Sequence, residues 1–410
     1  MVSQTYATYW LEEIREDSIC TVEQLKDYIA LSKKEGEQLK RVIQIHPMRV
    51  TPYYLSLIDW DDPHDPIRKM VIPSVQELNL QGSYDTSGEA ENTKLRGLQH
   101  KYRETALVLA TNRCATYCRY CFRKRLVGLP NTEVVEHFDE AANYIRQHQE
   151  INNVLISGGD PLVLPTQVIE HFLITLSDAP HLNFIRFGSK APVTLPSRFE
   201  DEDLLNVLEE YSRASRRLYV VTQFNHPKEI TKHSIKAVDN LIKSGVIVNN
   251  QTVLLKGVND ETSTLAELQN RLVGIGVNPY YVFQCRPVKR VKRHFQVPIC
   301  KGVEIVEKAK EKCNGHSKRF KYVMSHKSGK IEILGIANEE IYFKYHQAKN
   351  RKNLGKIFSR KLNEKAGWLD DFKHGRQKSL ASEKLQMAGI RDGTDLITVR
   401  EKLRKHGVVG

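Results

Sequence analysis

The chain contains few cysteines and no long hydrophobic segment. Seven of its 410 residues are cysteine, and such a sparse, odd-numbered set argues against a disulfide scaffold. No run of 18 apolar residues occurs, so we expect no membrane-spanning helix. The first residues, Met-Val-Ser-Gln-Thr-Tyr, lack the basic and then apolar pattern of a secretory signal peptide. Unpaired thiols without such a signal favour a location in the reducing cytoplasm.

Acidic residues are scarce in the C-terminal part of the chain. The net charge is +13, and residues 346–410 carry 16 Lys and Arg against seven Asp and Glu, a net of +9. A basic surface can bind nucleic acid or an acidic partner. This segment lacks the interleaved aromatic residues of a surface that binds single strands, so we favour a solvated, lysine-rich extension. Binding to nucleic acid stays open as the alternative.

Three of the seven cysteines stand together, at Cys114, Cys118 and Cys121. Three thiolates can hold three corners of a cubic iron–sulfur cluster and leave the fourth iron free to bind a small molecule. A structural zinc site normally has four protein ligands, and no fourth Cys or His lies beside this run. The spacing resembles that of the radical S-adenosylmethionine (SAM) superfamily. This resemblance implies that SAM binds the open iron and is cleaved by one electron to a 5′-deoxyadenosyl radical.

Alternating strand-like and helix-like segments predict the fold class. Short apolar runs lie at 106–110, 154–157, 184–187, 218–222, 246–255 and 280–284. Helix-like segments follow them near 134–148, 165–178, 202–215, 229–243, 262–274 and 302–312. Such alternation is typical of parallel strands with helices outside. Because six units are too few for a closed eight-stranded barrel, we predict an α/β fold, a partial (β/α)6 barrel with its chemistry at the C-terminal ends of the strands.

A glycine-rich turn closes the second predicted strand, with the sequence Ser157-Gly158-Gly159-Asp160. Two glycines allow the backbone to approach a ligand closely. Alone, this sequence is an ordinary turn. The resemblance to the radical SAM superfamily implies that the turn contacts the amino group of SAM, with Asp160 as its acidic member.

Further motifs follow the next strands and bring polar groups to the same end of the barrel. They are Arg-Phe-Gly-Ser-Lys-Ala-Pro-Val from Arg186, Gln-Phe-Asn-His-Pro-Lys-Glu-Ile-Thr from Gln223, Asn-Gln-Thr-Val-Leu-Leu-Lys-Gly-Val-Asn-Asp from Asn250, Tyr-Tyr-Val-Phe-Gln-Cys from Tyr280, and Gly-Lys from Gly329. Within the second motif, His226 fits either a proton-transfer role or a structural one. In this order, and together with the cysteine run, the motifs resemble the lysine 2,3-aminomutase family of radical SAM enzymes over residues 95–335.

The resemblance implies three cofactors and the residues that hold them. The three cysteines would bind a [4Fe–4S] cluster, and SAM would lie against residues 157–160 and Gln251. Pyridoxal 5′-phosphate (PLP) would be carried by Lys330, with Lys327 as the alternative, and its phosphate would be bound by Lys101 and Tyr102. Three departures from the family pattern weaken the expected PLP site. Lys101 stands where the family usually has arginine, a second basic phosphate ligand is missing at Thr105, and Phe283 replaces a tyrosine.

The substrate residues show the largest departure from lysine-specific members. Arg123 would bind the substrate carboxylate. Arg286 stands where those members have an aspartate for the distal ammonium, and the second such position falls near Val323. A cation there repels a lysine side chain at short range. We therefore predict an anionic substrate side chain, such as that of glutamate.

The implied activity is a 2,3-amino shift that turns an L-α-amino acid into a β-amino acid. The partners would be a small-molecule amino acid and a reductant such as flavodoxin or ferredoxin, and a homo-oligomer is possible. One alternative is an enzyme of the same family that acts on lysine, a protein lysine or RNA, with or without PLP. Another is a non-enzymatic electron carrier or sensor.

We divide the chain into a helical N-terminal region (1–100), the partial barrel (101–300), a segment carrying the PLP lysine (301–345) and the basic C-terminal extension (346–410). A short helix is expected near 396–405. No cysteine follows Cys313, so the cysteine-rich C-terminal zinc site of lysine-specific members has no counterpart. The cysteines outside the run are interpreted as buried thiols: Cys20, Cys285, Cys300 and Cys313.

Overall fold

One sheet of twelve strands runs through the computed structural model, which describes residues 9–130 and 132–372. The strands neighbour one another in chain order. They are β1 (Thr93–Leu95), β2 (Leu98–Tyr102), β3 (Thr105–Thr111), β4 (Asn153–Gly158), β5 (Phe184–Gly188), β6 (Arg217–Thr222), β7 (Ile247–Leu254), β8 (Asn278–Gln284), β9 (Lys321–His326), β10 (Gly329–Ala337), β11 (Glu340–Ala348) and β12 (Ile357–Lys361).

The strands β3 to β9 pair in parallel and form the centre of the sheet. The helices that connect them are Phe138–Gln147, Thr166–Ser177, Glu202–Tyr211, Lys232–Lys243, Thr262–Gly274 and Ile299–Glu311. The apolar faces of the first five helices make the main core with the helix-facing residues of the strands, and Ile299–Glu311 packs in a second cluster with β9 to β11. The α/β fold with six strand–helix units is therefore confirmed. Sequence analysis missed β9, the seventh parallel strand.

Antiparallel strands extend the sheet at both ends. β1 and β2 precede the parallel strands, and β10 to β12 follow them. The sheet curls so that its two ends meet through side chains. Lys101 Nζ donates to the carbonyl oxygen of His326 at 2.7 Å, and Lys349 pairs with Glu91 at 2.9 Å. A strongly curved, open barrel results, and Lys330 enters it at the start of β10.

The N-terminal region is built from short helices, as the sequence predicted. They are Tyr9–Arg15, Val22–Leu25, Lys33–Ile45, Pro52–Leu55, Pro66–Val71, the 3-10 turn Val75–Leu78, and Glu89–Asn92. Side-chain caps fix their starts: Thr51 and Asp65 each accept a backbone N–H and are each followed by a proline. Buried residues of this region belong to the same core as the barrel.

The remaining helices are short. They are Ala191–Thr194, Lys292–Phe295 and the 3-10 turns Pro161–Val163, Pro196–Glu200, Pro227–Glu229, Ser317–Arg319, Arg351–Asn353 and Leu369–Asp371. Strand β2 runs across the expected boundary at residue 100, and strand β11 runs across the expected boundary at residue 345. The division of the chain into four parts remains a prediction. The helix expected near 396–405 lies outside the described residues. In the described ranges, no helix has the length and apolar character needed to traverse a bilayer.

Candidate active site

A cavity of about 370 Å³ opens at the C-terminal ends of the parallel strands. Every site residue predicted from the sequence lines it. These residues are Lys101, Tyr102, Cys114, Cys118, Cys121, Arg123, Ser157, Gly158, Gly159, Asp160, Gln251, Arg286 and Lys330. The structure thus brings together groups that span more than half of the chain. Their individual roles remain predictions.

The three cysteines lie on the loop that follows β3. Backbone contacts to the N-terminal region shape this loop: Tyr117 N donates to Arg49 O and Arg119 N donates to Met70 O, each at 2.8 Å. Each of the three thiols is only partly buried and faces the cavity. Burial raises the pKa of all three, that of Cys121 to about 11, so loss of their protons depends on a metal.

The arrangement of donors suits a cluster rather than a single ion. Among residues 9–130 and 132–372, no three His, Cys, Asp or Glu side chains converge on a point where one metal ion could bind. Three thiolates that bind three separate irons of a cube have no need to converge. Three free thiols of one loop that line one cavity are a donor set that fits a [4Fe–4S] cluster.

The Gly158–Gly159 turn packs against the cluster loop. Gly159 N donates to Thr111 O at 2.6 Å, and Asp160 N donates to Arg113 O at 2.7 Å. Gly158 has φ +112°, and a Cβ at either glycine would collide with a carbonyl oxygen of the cluster loop. Close approach of two backbone segments, as well as space for a ligand, therefore requires these glycines.

The Asp160 carboxylate differs from a ligand-facing group. It accepts hydrogen bonds from Ser189 Oγ and from the backbone N–H groups of Leu162, Lys190 and Ala191, at 2.7 to 3.1 Å. Four donors occupy the acceptor sites of one carboxylate. Asp160 therefore holds the start of the next loop, and a direct contact with SAM remains a prediction.

Lys330 is a partly buried residue whose amine pairs with no carboxylate among the described residues. Its Nζ lies 4.4 Å from the ring centre of Tyr281 and 5.9 Å from that of Phe283. Burial and, to a smaller extent, the nearby cations Arg186, Arg286 and Lys101 together lower its pKa to about 7. At neutral pH a large fraction of this amine is unprotonated, which is the form that condenses with an aldehyde.

Polar atoms that lack hydrogen bonds surround Lys330. Tyr102 Oη and Arg186 Nε are buried and have no partner among the described residues. Arg186 also reaches Thr105 through Asn153, whose amide accepts from Arg186 at 2.5 Å and donates to Thr105 Oγ1 at 3.1 Å. Free donors of this kind next to a reactive lysine fit the phosphate and ring oxygens of PLP.

Two arginines of the cavity wall lie near one carboxylate, that of Glu89. Arg123 Nε and Arg286 NH1 each lie 3.9 Å from Glu89 Oε1, and Arg125 donates to Glu89 Oε2 at 2.6 Å. Both guanidinium groups also lie over the ring of Phe122, with Arg123 Cζ 4.5 Å and Arg286 Cζ 4.1 Å from the ring centre. Burial alone would raise the pKa of Glu89, but the three arginines outweigh it and hold that pKa at about 2.

The basic triplet after the cysteines divides into three different roles. Arg123 lines the cavity, where it also donates to Ser157 Oγ and Gly158 O. Lys124 points away and pairs with Glu77 at 2.5 Å. Arg125 pairs with Glu89 and Glu133. Sequence reasoning missed both Glu77 and Glu89, because isolated acidic residues in a polar region form no motif.

Other candidates lie outside the cavity lining. His226 caps the Pro227–Glu229 turn, which is the structural role. Lys327 is exposed, and Val323 is buried within β9. Of the cysteines outside the run, Cys285 and Cys313 are buried as expected. Cys20 and Cys300 are only partly buried, which corrects that expectation.

Comparison with known proteins gives a consistent result. Residues 108–268 match the family described as Radical SAM superfamily. A protein of Aquifex aeolicus (strain VF5) named "Putative L-lysine 2,3-aminomutase" is 43% identical over 368 residues, which cover 89% of this chain and 97% of that protein.

Two further relatives are similar over shorter spans. The L-lysine 2,3-aminomutase of Clostridium subterminale is 40% identical over 75% of this chain and 73% of its own length. The glutamate 2,3-aminomutase of Clostridioides difficile (strain 630) is 38% identical over 70% of this chain and 68% of its own length. With a [4Fe–4S] cluster and SAM as its cofactors, the chain is an aminomutase, an isomerase, and it belongs to the lysine 2,3-aminomutase family of the radical SAM superfamily.

Proposed function

We propose that this aminomutase moves the amino group of an amino acid with an anionic side chain, glutamate foremost, from C2 to C3. The observation that carries this proposal is the excess of buried cations over free carboxylates on the cavity wall. Apart from Lys190, which pairs with Glu229, and Lys330, whose pKa is lowered to about 7, the cationic side chains that line the cavity are Lys101, Arg123, Arg186 and Arg286.

The carboxylates of the wall are already engaged. Among the described lining residues they are Glu89 and Asp160. Glu89 is shared by three arginines, and Asp160 accepts four hydrogen bonds. A lysine substrate would have to bury its distal ammonium without a partner, which carries a large desolvation cost. A carboxylate in the side chain of the substrate would instead meet guanidinium N–H groups that are still unused.

The two arginines around Phe122 are suited to two carboxylates. Arg123 bonds to the glycine-rich turn, so its position is fixed relative to the cluster loop. Arg286 makes one hydrogen bond among the described residues, from NH1 to Ser87 Oγ at 2.9 Å, and its other donors are free to bind a ligand. We assign the α-carboxylate to Arg123 and the side-chain carboxylate to Arg286, since an arginine can bind a carboxylate through two hydrogen bonds.

PLP fits the part of the cavity around Lys330. Lys330 offers an unprotonated amine, and Lys101, Tyr102 and Arg186 surround it with donors. When bound, PLP supplies an aldehyde that links to amines and a conjugated ring that stabilises an adjacent radical. The residues of the chain orient the substrate between the lysine and the cluster and exclude water from this space.

The relatives support the reaction class but not one amino acid. Named lysine and glutamate 2,3-aminomutases are about equally similar, at 40% and 38% identity. The substrate assignment therefore depends on Arg286 and the charge of the cavity. The same family reaction on lysine is the alternative that the experiment must separate.

The test is turnover by the full chain, reconstituted anaerobically with iron, sulfide, PLP and SAM and supplied with a one-electron reductant. Glutamate, aspartate, glutamine and lysine are offered singly, and products are identified by mass spectrometry. Glutamine is the matched control, because it has the shape of glutamate without the charge. We expect β-glutamate as the main product. Preferred turnover of lysine or glutamine would overturn the proposal.

A further inference from the structure

We infer that Glu77, in the N-terminal region, is a positioning residue for the iron–sulfur cluster: it holds the cluster loop from behind and balances the charge of that loop. The inference does not depend on the substrate proposal. It rests on a buried group of three charged side chains, defined here as the anchor: Glu77, Arg119 and Lys124.

The anchor is almost completely shielded from solvent. The side chains of Glu77, Arg119 and Lys124 are 1%, 2% and 4% exposed. Arg119 Nε and NH2 donate to the two oxygens of Glu77 at 2.9 and 2.7 Å, a two-point pairing. Lys124 Nζ donates to Glu77 Oε2 at 2.5 Å. One carboxylate thus binds two cations that are far from it in sequence.

The two cations belong to the cluster loop itself. Arg119 lies between Cys118 and Cys121, and Lys124 follows three residues after Cys121. Lys124 Nζ also donates to Arg119 O at 2.7 Å, which closes the loop around the last cysteine. Fixing the side chains on both sides of Cys121 fixes the direction of its sulfur.

Two further hydrogen bonds bring four of the five N–H donors of Arg119 to partners in the N-terminal region. Its NH1 and NH2 donate to Pro47 O at 2.9 Å and His46 O at 3.2 Å. The anchor has no side chain among the residues that line the cavity, so it acts on the cluster only through the loop and through its charge. Groups that orient metal ligands in this way change metal affinity when they are removed, typically 10- to 100-fold.

The charge of the anchor should change the reduction potential of the cluster, which a purely structural role would not do. The native anchor has two positive charges and one negative charge, and Lys124 lies within electrostatic range of Cys121. Reduction adds an electron to the cluster, so additional positive charge nearby raises its reduction potential and less positive charge lowers it. Glu77→Gln makes the anchor more positive, and Lys124→Gln makes it neutral. The double variant restores the native net charge.

The experiment uses the full reconstituted chain and two measurements: the rate of iron loss to a chelator and the midpoint potential of the cluster from an EPR-monitored titration. For Glu77→Gln we expect iron loss to be about tenfold or more faster and the potential to rise. Lys124→Gln should lower the potential, and the double variant should return it toward the native value.

Asp201→Asn is the matched control. Asp201 is also buried and pairs with a buried arginine, Arg198, but neither lines the cavity. This variant should lose stability while keeping the native rate of iron loss and the native potential. The inference is overturned if Glu77→Gln behaves like this control, or if the double variant keeps the potential of Glu77→Gln. Should Glu77→Gln fail to fold, an unchanged or raised potential in Lys124→Gln overturns it equally.

Discussion

Two buried carboxylates of the N-terminal region, Glu77 and Glu89, bind cations that flank the cysteines, and they differ in what surrounds them. Around Glu77, Arg119 and Lys124 use further donors on backbone carbonyl oxygens. Around Glu89, the cations Arg123 and Arg286 keep donors that face the cavity. The pKa of both carboxyls is held at about 2, because nearby cations outweigh burial.

The comparison separates charge that shapes the protein from charge that binds a ligand. A buried cation whose donors are all used can only hold its neighbours in place. A buried cation with unused donors has lost its hydrating water without gaining hydrogen bonds in return. This free-energy cost remains until an anion binds. By this criterion the Glu77 group is structural support for the cluster, and the Glu89 group together with Lys330 is a binding surface. Each prediction below removes one member of one group.

The largest effect is expected at Lys330, the amine that is assigned to PLP. Lys330→Ala should abolish covalent PLP binding and lower turnover by about a thousandfold or more, because the amine that condenses with the cofactor is lost. Absorbance of lysine-bound PLP and borohydride labelling followed by peptide mapping measure this. Lys327→Ala, which changes an exposed lysine, should behave as the native protein, and labelling of Lys124 would contradict the comparison.

Arg286→Asp should give the next largest effect. Reversing this charge removes the partner of the side-chain carboxylate and adds repulsion, so kcat/KM for glutamate should fall by about a hundredfold or more. Arg213→Asp is the control, since that arginine is exposed and outside the cavity lining. Full activity of Arg286→Asp on glutamate would rule out the assigned role.

Stability should distinguish the two carboxylates directly. Glu77→Gln leaves two fully buried cations without a counter-charge and should lower the free energy of unfolding by about 3–5 kcal/mol. Glu89→Gln should cost less, because its arginines face the cavity and can bind water there. Urea unfolding of the chain without cofactors measures both. Equal losses would mean that the two groups do not differ in the way proposed.

Acid unfolding should follow the same carboxylates. Their pKa values are about 2 in the folded protein against an ordinary 4.5, so each stabilises the fold above pH 4.5 by about 3 kcal/mol. That stabilisation is lost as the pH falls from 4.5 toward 2. The slope of unfolding free energy against pH should therefore be smaller in either glutamine variant than in the native protein.

The smallest effect concerns the pH dependence of PLP binding. The rate of PLP attachment to the cofactor-free protein should rise with a midpoint near pH 7, because the amine of Lys330 has a pKa of about 7. Arg286→Gln removes one of the cations that lower this pKa, so its midpoint should move to higher pH. A midpoint that stays in place would show that Arg286 is too distant from Lys330 to act on it.

Much of the fold was predictable because strand and helix alternation is a local pattern. The six predicted strands match β3 to β8 within a few residues. β9 was missed because the run Lys321–His326 is short and has polar ends, although a helix after the last predicted strand already implied a further parallel partner. The curl that brings Lys101 to His326 depends on contacts between distant residues, which no local pattern encodes.

The residues of the candidate site likewise divide into those that a local sequence pattern predicts and those that only the folded chain reveals. The cysteine run, the glycine turn and Lys330 belong to continuous motifs, and the structure brings them to one cavity. Glu77 lies 42 residues before Arg119, so only the folded chain reveals their pairing. Asp160 shows the opposite case: its motif suggested a ligand contact, while its carboxylate is occupied by the backbone N–H groups of Lys190 and Ala191, about 30 residues further along the chain.

The contacts of the cluster loop impose an order on biosynthesis. Arg49, Met70 and Glu77 leave the ribosome before Cys121, whereas the turn at Gly158 and Gly159 emerges about 40 residues later. At 5–20 residues per second, roughly 2–8 seconds separate the two events. During that interval the three cysteine thiols lie on an incomplete cavity wall, where they are exposed to oxidants and to competing metals. Cluster insertion is therefore expected to follow completion of the fourth strand, and this delay sets how strongly the yield of active enzyme depends on anaerobic growth.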